Sequence, residues 1–364
     1  MRFTTRTAAA LALLALALPA QAQIIAGQNE PNPVNLLDNG AFNIAQRGTA
    51  SATSITTVAK YLQDRWAGIS GTSTTATLSN VTSSLPAQFT NAAQMQRNSS
   101  VSAVVKTCVV QEIPTADITP LAGQPVTLSF WALAGSNFSA ATSTLTAQVT
   151  TGTGTDEGLA TWATGLTGAA SAIPTANAGV TLTTGWQRFA VTGTLPTNTT
   201  EAVVNFCFTP VGTAGTNDYF QITGAQLQRG TVASNFEFRP YGQELAKVQR
   251  YYWQWAETVS STADSSALCA AQSTTVAICK FPLHVTMRTA PTVACTAGTL
   301  KRQVAGTDTT VSACAAAATT NGVTGVDAVS ITATVASGDT AGFAGSLMSG
   351  NSTGGGLITA TADF

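Results

Sequence analysis

The chain has 364 residues, a formal net charge of −1 and only 9% charged residues, which gives no electrostatic basis for binding nucleic acid. A hydrophobic share of 44%, with 14 Phe and 6 Trp, excludes a disordered chain, which carries more charge and fewer aromatics. Gly, Ser, Thr and Ala dominate; this is the composition of an all-β protein whose exposed positions are Thr, Ser and Asn in place of Lys and Glu.

At the N-terminus, Arg2 and Arg6 precede an apolar run from Ala8 to Leu18, Pro19 ends it, and Ala20-Gln21-Ala22 follows. A basic start, a short apolar core and an A-x-A end predict a secretory signal peptide over residues 1–22. The run is shorter than the ~20 residues a spanning helix needs, and no later segment is apolar enough for a membrane span. The expectation is a soluble mature chain that is secreted, on the cell surface or in a virion. Its net charge falls to −3 once Arg2 and Arg6 leave. Residues 23–34, polar and holding Pro31 and Pro33, read as a leader.

Residues 35–238 hold short β-rich runs separated by Gly, Asn, Pro and Thr turns. The clearest are Val104–Ile113, Pro125–Leu133, Ser143–Thr150, Trp186–Gly193, Ala202–Thr209 and Tyr219–Leu227. Regularly spaced short strands without intervening helices predict an antiparallel sandwich. Residues 239–257 break the pattern. From Gln243 to Ala256 there is no Gly or Pro, and Leu245, Val248, Tyr252 and Trp255 fall near helical spacing, which predicts a short linker helix. Tyr251, Tyr252, Trp253 and Trp255 are expected to hold that helix to its neighbours or to form an oligomer interface. Residues 258–364 return to strand-like runs at Val276–Phe281, His284–Met287, Val329–Val335 and Leu357–Ala362, a second and smaller β domain hinged on the first near Arg239–Ala256.

Successive side chains of a strand point to opposite sides. Val126, Leu128 and Phe130 are therefore assigned to the core, and Thr127, Ser129 and Trp131 to the other face. Phe189 and Val191 face in, opposite Trp186 and Arg188. Val204, Phe206 and Phe208 face in, opposite Val203, Asn205 and Cys207. Val105, Val109 and Ile113 oppose Lys106, Cys108 and Glu112. Alternation does not say whether these outward faces belong to one sheet. Six cysteines in an exported chain predict disulfides. Of the 15 possible connectivities, spacing and facing point to Cys269–Cys279, which bracket a hairpin connection at Gln272–Thr275, to Cys295–Cys314, and to Cys108–Cys207, both on outward faces of strands in one sandwich. None of the spacings is CxxC, and with His284 the single histidine, the sequence offers no Cys/His zinc-ligand pattern.

Four motifs in order resemble a known family: Asn35-Leu-Leu-Asp-Asn-Gly-Ala-Phe42, Val126-Thr-Leu-Ser-Phe-Trp131, Gly185-Trp-Gln-Arg-Phe189 and Ile222-Thr-Gly-Ala-Gln-Leu227. They are similar to strands of the jelly-roll carbohydrate-binding modules attached to bacterial glycanases. Farther on, Phe236-Glu-Phe-Arg-Pro-Tyr-Gly-Gln-Glu-Leu-Ala246, Gln249-Arg-Tyr-Tyr252, Met287-Arg-Thr-Ala-Pro-Thr-Val293 and Thr361-Ala-Asp-Phe364 resemble a run in bacteriophage tail-associated and prophage proteins. The resemblance implies a jelly-roll sandwich and a non-catalytic part of a virion fibre or surface appendage, with no established ligand. Family members often hold a structural calcium, but the positions matching its carboxylates are Asn43, Thr223 and Gly224 here. Hard calcium wants several carboxylate or carbonyl oxygens, so no cofactor is expected; Asp38 and Asp218 are the fallback calcium ligands. A signal peptide on such a chain points to a prophage-derived or bacterial surface protein, or to a virion part assembled outside the cell.

For binding, a sugar ring offers a C–H face to Trp or Tyr, while Asn, Gln and Arg bond its hydroxyls. Trp131, Trp186, Arg188 and Asn205 supply that inventory on outward faces, and Trp162 stands in a loop without an obvious core. The alternative is that Trp131 and Trp186 are capped by loops and stabilise the sandwich. Tyr61 and Trp66 belong to the core or a sandwich corner. Catalysis lacks support: no nucleophile motif accompanies His284, and the adjacent Asp156 and Glu157 read as a solvated turn, whereas glycoside hydrolysis needs carboxyls across a sugar. A glycan- or receptor-binding adhesion protein on the cell surface leads; a structural fibre or homo-oligomeric appendage subunit comes next, and a hydrolase is distant.

Overall fold

The computed structural model describes residues 34–48, 52–71, 76–173, 179–256, 265–297, 300–317, 325–349 and 357–364. The expected signal peptide and all but the last residue of the leader lie outside the described residues. The described part is nearly all β.

Two antiparallel sheets face each other in a jelly-roll sandwich. The first runs β1 (Ala52–Ile55), β4 (Ala76–Val81), β5 (Ala92–Arg97), β13 (Tyr219–Arg229), β7 (Pro125–Ala134) and β11 (Gln187–Thr194). The second runs β10 (Gly179–Thr181), β8 (Thr144–Gly152), β12 (Glu201–Phe208), β6 (Thr107–Ile113), β3 (Ala67–Ser70) and β2 (Lys60–Tyr61), with β9 (Ala170–Ser171) paired to β8. The inward residues are those that alternation selects: Val126, Leu128, Phe130, Val204 and Phe206 are fully buried. Phe130 meets Phe206 edge-on at 4.8 Å between ring centroids, and Trp66 lies between Phe42 and Phe206, a core position.

The opening Asn-Gly pair has a mechanical reason. Asn39 sits at φ 53. Its side-chain nitrogen donates to the carbonyls of Ile44 and Asp64, and its oxygen accepts from the Ile44 N–H. Gly40 is required because a Cβ there would stand 2.1 Å from the Ala225 carbonyl oxygen of β13.

The linker differs from expectation. The helix, α3, covers only Tyr241–Gln249, and Tyr252–Ala256 forms strand β14; shorter helices at Thr115–Ile118 (α1) and Leu159–Thr164 (α2) precede it. Helical spacing at Tyr252 and Trp255 is a coincidence of two elements meeting. Trp253 and Trp255 sit two apart on one strand face and both pack on Phe281. A partner strand at Leu357–Thr361 (β22) outweighs the weak helical signal, since aromatic residues suit a half-buried pleated surface.

The C-terminal domain joins a three-stranded sheet, β14–β22–β17 (Thr292–Thr296), to a closed barrel. The barrel order is β15 (Ser265–Ala271), β16 (Val276–Pro282), β20 (Ala328–Val335), β19 (Thr307–Ala316), β18 (Leu300–Val304) and β21 (Ala344–Ser349). Closure removes free edges. The stretch His284–Met287 is loop, not strand. The three disulfides are Cys108–Cys207, Cys269–Cys279 and Cys295–Cys314. The first two link directly opposed residues of neighbouring strands, and the third ties β17 to β19.

The candidate glycan face and its sealed counterpart

The sequence-derived site residues divide between two sheets. On the first sheet, strand pairing sets outward side chains in rows. Gln96 lies opposite Tyr219; Gln221 stands between Gln94 and Leu133; Trp131 stands between Thr223 and Arg188. Trp186 precedes β11 by one residue and shares the parity of Arg188, which places it beside Leu133. The amides form a ladder. Gln221 Nε2 donates to Gln94 Oε1 at 2.7 Å, and Gln94 Nε2 to Gln96 Oε1 at 3.0 Å. Gln96 Nε2 then donates to the Thr216 carbonyl at 2.8 Å. A primary amide has two protons and two lone pairs, so each keeps capacity for a further partner. Trp186 and Trp131 are half-buried, and the indole N–H of Trp186 is fixed on the Ser84 carbonyl at 2.7 Å. On the same face lies a depression of about 420 Å³ lined by Ser84, Leu133, Ser136, Thr184, Tyr219 and Gln221.

The other half of this face is closed by the chain after β13. Gln226 Nε2 donates to Ser234 Oγ and the Asn235 carbonyl, and Gln228 Nε2 to the Val232 carbonyl. Arg188 is exposed but donates to the Ser234 carbonyl. Phe89, Phe236 and Phe238 cluster there. Gly224 has φ +59, and a Cβ on it would come within 2.4 Å of the Phe89 ring.

Asn205 lies on the second sheet and Trp162 on the helix α2 that covers it, so neither stands with Trp131 and Trp186 on the first sheet's face. Asn205 is fully buried and donates to Thr150 Oγ1 at 3.0 Å. Trp162 stands on α2 and is 9% exposed. It packs with Leu159, Leu166, Val110, Val203 and the Cys108–Cys207 bridge, so the aromatic that lacked a core has a small one of its own.

Farther along that face Glu112 shares the side of Cys108 and Val110, and the C-terminal domain closes over it. Burial pushes its carboxyl up to about 8; Asp363 adds to this, while Arg65 and Arg288 oppose it. Burial likewise raises Asp64 to about 6, against a hydrogen bond from Gln46 and the charge of Arg47. Arg47 pairs with Asp363 and lies 3.8 Å over the Tyr252 ring. Arg65 lies 3.6 Å over Tyr251. Arg288 pairs with Asp156 at 3.0 Å and stacks on Phe364 at 4.0 Å. Asp156 and Glu157 are therefore not a free solvated turn: Asp156 also accepts from the Thr115 N–H, and Glu157 accepts from Thr167.

The fallback calcium ligands do not converge. Asp38 pairs with Arg65 at 3.4 Å and Lys247 at 3.2 Å. Asp218, fully buried, pairs with Arg97 at 2.8 Å and accepts from the Ser139 N–H and hydroxyl. His284 is exposed in its loop. No described helix is long and apolar enough to cross a membrane.

Sequence reasoning missed Gln94, Gln96, Tyr219 and Gln221. The alternation in Ala92-Ala-Gln-Met-Gln-Arg97 was the available signal, with Met95 inward and the glutamines out.

No family model matches the chain, and no curated protein is similar to it by sequence. Among solved structures it is similar to the enzymatically active domain of bacteriophage CBA120 tailspike protein 4, with 14% identity and a TM-score of 0.32 over 54% of this chain and 22% of that one. It is similar to a CBM4 structure, with 14% identity and a TM-score of 0.31 over 53% of this chain and 99% of that one. It is also similar to carbohydrate-binding modules of the β-sandwich superfamily with promiscuous specificity, with 9% identity and a TM-score of 0.33 over 45% of this chain and 57% of that one. This chain thus spans about a fifth of the tailspike structure's length. At these identities and scores the alignments give no residue a role.

Proposed function

We propose that the protein is a non-catalytic, exported glycan-binding adhesion module of phage-tail or surface-appendage type, and that the open half of the first sheet's outer face takes the sugar. The observation that carries this is the row Gln94–Gln221–Leu133–Trp186 with Trp131 and Tyr219 beside it: an amide ladder and aromatic rings on one sheet face, next to a depression that Leu133, Tyr219 and Gln221 line. Rings accept the apolar face of a pyranose and amides bond its hydroxyls. Three disulfides support an oxidising compartment. The engagement of Asp156 and Glu157 by hydrogen bonds and an ion pair within the chain supports a non-catalytic reading. Stacking contributes on the order of 1 kcal/mol per ring, so single-site affinity belongs in the micromolar to millimolar range, and multivalent display supplies the rest.

The test is a glycan array on the mature chain, followed by titration of the best hit against Trp131→Ala and Trp186→Ala. Folded variants that bind about fivefold more weakly support the site; folded variants that bind every wild-type ligand unchanged refute it.

A second reading, a structural fibre subunit, is favoured by the barrel's outer wall. Leu268 is 80% exposed, and with Ala270, Ile278, Pro282, Ala328 and Ala344 it lines an apolar hollow of about 820 Å³. Light scattering on the mature chain that shows a stable oligomer, lost on Leu268→Lys, would favour that role.

A further inference from the structure

A separate cleft lies where the opening segment of the sandwich meets the chain between β13 and α3. Its volume is about 270 Å³, and its lining includes Asn43, Glu237, Phe238, Arg239, Tyr241 and Glu244. That is just under the lower end of ordinary ligand pockets, ~300 Å³, so it holds one ring and not a chain. Two aromatic side chains stand at it unusually bare: Tyr241 is 63% exposed and Phe238 53%. Phe238 is held from one side by Phe89 and Phe236, which leaves its remaining surface free and fixes its orientation.

The polar groups divide into spent and available. The Arg239 guanidinium donates to the carbonyls of Asn35 and Leu37 and to the Glu244 carboxylate. Glu237 accepts from the Asn35 N–H and pairs with Arg239 at 3.5 Å, and Glu244 accepts from the Asn39 N–H. A carboxylate has about four lone-pair sites, so both keep acceptor capacity. Asn43 is exposed and uses its Oδ1 for Thr90 and Asn91, which leaves its Nδ2 protons for an incoming acceptor. Two carboxylates against one committed arginine repel an anionic ligand. Free acceptors, one amide donor and bare rings suit a ligand rich in hydroxyls.

We propose that this cleft is a second saccharide subsite for a single uncharged pyranose ring. The ring's C–H face lies on Tyr241 or Phe238, its hydroxyls donate to Glu237 and Glu244, and one of its oxygens accepts from Asn43. The carboxylates Glu237 and Glu244 distinguish it from the amide ladder of the first sheet's open half. It does not depend on that face being a site.

The experiment titrates the mature chain with the methyl glycosides of glucose, galactose, mannose and N-acetylglucosamine, and with glucuronate, reading affinity and saturation transfer from the aromatic protons. Tyr241→Ala, Phe238→Ala, Asn43→Ala and the control Trp131→Ala are each checked by thermal unfolding. The expected result is that at least one neutral glycoside binds, that Tyr241→Ala and Asn43→Ala weaken it at least fivefold, that Trp131→Ala leaves this component unchanged, and that glucuronate does not compete. The proposal is overturned if no neutral glycoside binds, if Tyr241→Ala and Asn43→Ala retain full affinity, or if glucuronate competes equally. Loss in Trp131→Ala alone would uphold the sheet face and remove this cleft; loss in Tyr241→Ala and Asn43→Ala alone would do the reverse. If Tyr241→Ala does not fold, the exposed Asn43 decides.

Discussion

The two outer faces of the sandwich start from the same alternation and end differently. On the second sheet every outward position of β12 and β6 is buried, because α2 covers one end and the C-terminal domain the other. On the first sheet the covering segment, residues 230–238, stops partway, and Gln94, Gln96, Trp131, Tyr219 and Trp186 stay in reach of solvent. Both faces carry tryptophan. Trp162 is packed under cover on one, and Trp131 and Trp186 stay half-buried on the other, so the residue type does not decide the exposure; what lies over it does.

That contrast can be broken most forcefully at the disulfide under Trp162. Replacing Cys108 and Cys207 together with Ala removes a bridge spanning 99 residues, with an expected loss of about 4 kcal/mol of stability. Denaturant unfolding should show it, while glycan affinity of the folded fraction stays put. Next in size, Trp162→Ala is expected to cost about 3 kcal/mol by leaving a cavity over the bridge, against about 1 kcal/mol for the half-buried Trp131→Ala. Equal losses at the two positions would erase the distinction between the faces.

A smaller effect is written in pH at the sealed face. Glu112 titrates at about 8 when folded, above its ordinary 4.5. A raised carboxyl stabilises the fold fully below pH 4.5 and loses that contribution as pH rises through 8. Asp64, raised to about 6, works in the same direction over a lower window. Stability should fall between pH 5 and 9 by on the order of 5 kcal/mol, most of it from Glu112, since a tenfold change in proton affinity on folding corresponds to ~1.4 kcal/mol. Glu112→Gln should flatten the upper part of that slope in thermal melts. A slope that survives unchanged would mean that the C-terminal domain does not bury Glu112 in solution.

How far the sequence could be read depended on the strength of its alternation. β7, β12 and β13 were legible because Val126-Thr-Leu-Ser-Phe130 and Val204-Asn-Phe-Cys-Phe208 alternate bulky apolar residues with others. β1 to β5 were not picked out, since Thr, Ser and Ala in Ala52–Ile55 and Ala76–Val81 match turns as well as strands. The end of α3 was lost because one apolar spacing ran through a helix and the strand after it.

The sequence by itself determined the all-β class and the core faces of the main strands, because these rest on local alternation. Only the tertiary structure decided that Trp131 and Asn205 stand on different sheets, that Trp162 is covered and Trp186 half-open, and that the buried Glu112 feels the charge of Asp363, 251 residues away. Strand geometry says which side of a strand a side chain takes; whether that side is wet depends on segments distant in the chain, whose approach no local pattern encodes.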